Sequence, residues 1–61
     1  MNRSAAFASR TIDRAAADLK QALEADRGPD PAQLRMVVGL LYDSAAALMA
    51  AASDLEQGIE S

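Results

Sequence analysis

Residues 30 to 59 read DPAQLRMVVGLLYDSAAALMAAASDLEQGI, and Leu34, Leu41, Leu48 and Leu55 recur in them at intervals of seven. Val38, Ala45, Ala52 and Ile59 fall between, so apolar residues alternate by four and three. That is the repeat of a helix whose seam packs against other helices. The stretch is expected to form one long helix, about residues 31 to 57, roughly 40 Å long at 1.5 Å per residue.

Upstream, Arg27-Gly28-Pro29-Asp30-Pro31 is a stop followed at once by a restart. Gly28 suits the left-handed conformation after a helix end, Arg27 complements the negative end of the dipole, and Pro29 cannot continue a helix. Asp30 is a good N-cap, Pro31 fits the first helical position, and Gln33 would complete a capping box. Residues 3 to 27 hold no Gly or Pro and are rich in Ala, Leu, Lys, Arg and Glu, which predicts a first helix over about residues 4 to 27. Asn2, Ser4, Ser9 and Thr11 are its candidate N-caps. The expected inward stripe is Ala5, Ala8, Ile12, Ala15, Ala16, Leu19, Ala22 and Leu23. Arg10 with Asp13, Arg14 with Asp18, and Lys20 with Glu24 have the spacing of helical ion pairs.

A turn over 28 to 30 between two long helices makes them antiparallel neighbours, so residues 1 to 61 read as one all-α domain, an αα-hairpin. Alanines 45 and 52 are expected to face alanines 8, 15, 16 and 22 across a close contact. Gly39, mid-helix, marks either a close backbone approach or a tolerated cost.

Sixty-one residues build only a thin core, and such chains usually recruit disulfides, a metal or another subunit. Cys and His are both absent, which removes the first option and the commonest metal ligands. No cofactor and no small-molecule ligand is predicted. Helix two is apolar well beyond one seam, and helix one offers only Phe7, Ile12, Leu19 and Leu23 as large apolar cover. The expected outcome is a four-helix bundle, completed either by a second copy of the chain or by an amphipathic helix of another protein. Met36, Val37, Leu40, Tyr42 and Met49 are the candidate contact residues, methionine being suited to irregular partners.

The net charge of −3 is unevenly spread: all six basic residues lie in 1 to 35, while 36 to 61 hold four acids and no base. Any anion-binding face must therefore lie on the first half. Arg3, Phe7, Arg10 and Arg14 step by four, three and four, which places three guanidiniums and an aromatic on one stripe, an alternative RNA-binding surface. The bland reading of that stripe is a solvated face paired with Asp13 and Asp18. Asp13, Asp18, Glu24 and Asp26 lack the spacing of an inward metal array or an acid–base pair, and Ser44 after Asp43 reads as a small packing residue. Catalysis is not expected. The N-terminus has no continuous apolar run of a secretory signal, and the window 36 to 53 is alanine-rich and interrupted by Gly39, Asp43 and Ser44, so a cytoplasmic chain without a membrane span is expected.

Two families resemble this layout. The run Arg27-Gly28-Pro29-Asp30-Pro31-Ala32-Gln33 between amphipathic helices, over roughly Thr11 to Leu55, is similar to the small hairpin co-chaperones of the type III secretion needle protein. That resemblance implies a cytoplasmic protein that helps to shield an aggregation-prone helical subunit. This chain is richer in alanine, and its first helix is poorer in large apolar residues. The stripe Arg3, Phe7, Arg10 and Arg14 resembles the RNA-binding face of the Rop family of plasmid copy-number regulators, dimeric hairpins of nearly the same length. The cysteine-containing core of that family has no counterpart here.

Overall fold

A computed structural model describes residues 2 to 58 and holds two helices, α1 (Arg3–Glu24) and α2 (Pro31–Glu56), packed lengthwise as an antiparallel hairpin of 48 × 16 × 10 Å. Ile59, the last apolar position of the sequence repeat, lies outside the described residues.

Local chemistry sets the helix ends. Asn2 is the N-cap of α1, its side chain accepting the Ala5 N–H at 3.0 Å. At the other end α1 stops at Glu24, three residues before the expected boundary, and Ala25 turns extended with ψ of 141°. Three more helical residues would carry the chain about 4.5 Å further along the axis and leave only Gly28 to Asp30 to cross to α2. The crossing therefore begins at Ala25. Gly28 donates its N–H to the Ala25 carbonyl at 2.9 Å and takes φ of +78°, the left-handed conformation that only glycine adopts without cost. Asp30 caps α2 by accepting the Ala32 N–H at 3.1 Å, with Pro31 at the first helical position. Gln33 does not close the expected capping box. Its side-chain amide donates instead to the Asp18 carbonyl on α1 at 3.4 Å, tying the start of α2 to the neighbouring helix.

The seam between the helices is not the leucine repeat. On α1 the inward row is Ala8, Thr11, Ala15 and Ala22 with half-buried Asp18, and on α2 it is Val37, Ser44 and Ala51 with half-buried Gln33, Leu40, Ala47 and Asp54. Both rows alternate by three and four, so both are coiled-coil seams. Their buried positions hold small residues, four alanines, a serine, a threonine and one valine. Ala8 and Ala22 are wholly buried, and the two hydroxyls in the seam are satisfied within their own helices, Thr11 donating to the Phe7 carbonyl and Ser44 to the Leu40 carbonyl, each at 2.8 Å. Ala45 and Ala52, expected to face α1, are exposed, and so is Ala16. Gly39 has nothing within 4 Å of where a Cβ would stand, so no backbone approaches it and the position is simply tolerated.

Candidate functional site

The leucine repeat is the seam repeat displaced by one residue. Leu34, Leu41, Leu48 and Leu55 each follow a seam position (33, 40, 47, 54), and Val38, Ala45 and Ala52 follow the other set (37, 44, 51). One residue is a rotation of about 100°, which carries the whole row from the seam to the side of the hairpin. On α1 the same displacement yields Ser9 after Ala8, Ile12 and Leu19 after Thr11 and Asp18, and Ala16 and Leu23 after Ala15 and Ala22. Because the helices run in opposite directions, a forward step rotates them in opposite senses seen from one end, and both displaced rows emerge on the same side. The hairpin thus carries an apolar face with eight large side chains on it, interrupted among these displaced positions of α1 only by Ser9. Leu34 is half-buried, and Val38, Leu41, Leu48, Leu55, Ile12, Leu19 and Leu23 are exposed. An open depression of about 320 Å³ lies in it, lined by Val38, Leu41, Tyr42 and Ala45.

The five residues expected from sequence to carry partner contact are not brought together. Val37 is 5% exposed and is taken up by the hairpin itself, with Leu40 half-buried beside it in the seam. Met36 precedes a seam position and so lies on the opposite flank. Tyr42 and Met49 stand 73% and 74% exposed on the outer back of α2, bordering the leucine face. The residues that do form the face are the leucine heptad, which the sequence pattern places in the seam and the structure places beside it. The signal for the true seam was the seven-residue spacing of Ala8, Ala15 and Ala22, which small size disguised.

Phe7, Arg10 and Arg14 each precede a seam residue and Arg3 precedes half-buried Ser4, one helical turn before Ala8, so they share the flank opposite the leucines, all four exposed. Arg14 reaches Asp18 at 3.9 Å, and Asp43 of α2 lies on the same flank. Among the described residues, no three His, Cys, Asp or Glu side chains come together in a way that could hold a metal ion.

By fold the molecule is an all-α helical hairpin with one apolar side. Compared with protein-family models, curated proteins and solved structures, the chain matches none of them.

Proposed function

We propose that this chain is a non-enzymatic protein–protein interaction module, a bundle-forming or co-chaperone-like hairpin that works by laying its leucine face against helices of another polypeptide. One observation carries the reading: the side chains with the most apolar area in the molecule are outside, and those inside are alanine, serine, threonine and a single valine. A buried alanine removes about one methyl from water, roughly 0.8 kcal/mol, whereas a buried leucine contributes two to three times as much. The larger reservoir of stabilisation is therefore the face still open to solvent, and contiguous apolar faces of this kind mark contact surfaces.

α2 has the length and apolar composition of a membrane-crossing helix. Its lengthwise pairing with a helix that exposes Arg10, Asp13, Arg14, Lys20 and Glu24, and its own Asp43 near mid-length, favour a protein partner over lipid. A cytoplasmic setting fits that reading.

Thermal unfolding and solution mass, followed over a hundredfold concentration range, test the proposal. A module of this kind melts higher as its concentration rises, or folds only when its partner is added, because whatever binds the folded form stabilises it by mass action. A monomer with a sharp, concentration-independent melting transition overturns it.

A second reading has one observation in its favour, the exposure of Arg3, Phe7, Arg10 and Arg14 on a single flank away from the leucines. It is an RNA-binding regulator, whose affinity for a structured RNA falls steeply with salt and with Arg10→Glu. Absence of binding at low salt removes it.

A further inference from the structure

We propose that the occupant of the leucine face is a second copy of this chain, laid antiparallel about a two-fold axis that passes beside Ala45. This rests on the interaction reading above and adds to it the partner, the direction and the register. The exposed rows of α2 are complementary to themselves when reversed. About Ala45, Val38 meets Ala52 of the second copy, large on small, and within one residue, about 1.5 Å along the axis, Leu41 meets its Leu48 and Leu34 its Leu55. The row bordering this face on the back of α2 is Arg35, Tyr42, Met49 and Glu56, all exposed, and it reverses about a point half a residue beyond Ala45: Arg35 opposes Glu56 of the second copy and Tyr42 opposes its Met49. A two-fold interface requires this reciprocity, residue i meeting j wherever j meets i. Parallel pairing would instead stack Arg35 on Arg35 and Glu56 on Glu56, which like charges oppose.

Area points the same way. A folded protein of this mass exposes roughly 3,800 Å², whereas the hairpin exposes 4671 Å². The surplus of roughly 900 Å² is close to the 800 Å² that each partner gives up in a standard interface. The chain's radius of gyration, 14.3 Å, likewise exceeds the roughly 10.5 Å of a compact chain of this length, as expected of half a bundle. Ile12, Leu19 and Leu23, on the same side of α1, would close the second half of the four-helix layer.

Cysteine cross-linking tests the register cleanly because the chain has no cysteine of its own. In the full chain oxidised with glutathione disulfide, Ala45→Cys should link into a covalent dimer, since position 45 lies beside the axis. Leu34→Cys alone should not, because its two copies stand about 33 Å apart at 1.5 Å per residue, while an equimolar mixture of Leu34→Cys and Leu55→Cys should link. Arg35→Glu and Glu56→Arg should each weaken dimerisation roughly three- to tenfold, the scale of exposed ion pairs, and the two together should restore it. A dimer by mass in which Ala45→Cys stays unlinked overturns the register and leaves the interaction reading standing. An unfolded monomer that folds only on a different protein overturns the second copy alone. A folded monomer at every concentration overturns both.

Discussion

The two apolar rows of this molecule, one inside the hairpin and one on its side, differ by a single residue in register and by nearly everything in size. Ala8, Ala15, Ala22, Ser44 and Ala51 lie in the seam, whereas Leu34, Leu41, Leu48 and Leu55 follow it one position later. Small side chains let two helix axes come close, and closeness is what a two-helix contact has to offer. Large side chains gain most where they are surrounded, and two helices cannot surround them. A chain that keeps its alanines for the internal contact and gathers the leucines of both helices on one side divides the work between folding the hairpin and holding a neighbour. Hydrophobicity alone therefore does not say which row of a helix meets which partner.

The sharpest way to break this comparison is to charge the outer row and leave the inner one alone. Leu41→Asp with Leu48→Asp is expected to weaken association by roughly 3 kcal/mol or more, a hundredfold or greater, since it removes two leucines from the contact and asks two carboxylates to enter it. The readout is the dissociation constant by sedimentation, with helicity by circular dichroism recorded at the highest concentration attainable. An unchanged constant would mean that the leucines do not meet the partner.

The reverse experiment enlarges the inner row. Ala15 is 2% exposed in the seam, so Ala15→Leu has no room and must separate the helices. Overpacking of this kind typically costs about 1 to 3 kcal/mol. Denaturant unfolding should show the loss, whereas the same substitution at Ala16, one residue later and exposed on the leucine face, should cost little or nothing. Equal effects at 15 and 16 would dissolve the distinction between the rows.

How far the sequence led can be judged from these same residues. Gly28, Asp30 and Pro31 determine backbone conformation locally, through a positive φ, a side-chain cap and a fixed first helical φ, so the hairpin and the start of α2 were readable without any tertiary information. The end of α1 was not, because nothing in Ala25 or Asp26 breaks a helix and the stop is imposed by the need to cross to α2. Helical faces were harder still. A periodicity analysis ranks rows by hydrophobicity, and Leu34 to Leu55 outrank Ala8 to Ala22 on any such scale. Packing between two helices ranks rows by how closely they let backbones approach, a property in which alanine wins. The same difference acts on the candidate contact residues: hydrophobic pattern leaves Val37 and Leu40 free to count as outer, and close packing draws them into the seam.

Gly39 separates backbone cost from packing. It is exposed, nothing lies within 4 Å of its missing Cβ, and it stands on the side of α2 away from the leucines. Gly39→Ala should therefore stabilise the fold by about 0.5 to 1 kcal/mol, the helix-interior penalty of glycine relieved, with no change in association. A loss of stability or a change in dimer mass would place a neighbour against that side.

The smallest expected effect falls on Ser44, and it asks whether the inner row needs anything besides smallness. Its hydroxyl is 2% exposed with the rest of the residue and donates to the Leu40 carbonyl at 2.8 Å. That carbonyl also accepts the helix's own N–H four residues on, so Ser44→Ala strands no polar group and removes only a bond that competes with the helix. Alanine's better helix propensity offsets the loss, and the net change should lie within about 0.5 kcal/mol of zero. If chemical denaturation instead shows a cost above about 1.5 kcal/mol, the seam depends on the hydroxyl itself, and size alone no longer explains why this row, rather than the leucines one residue away, was drawn inside.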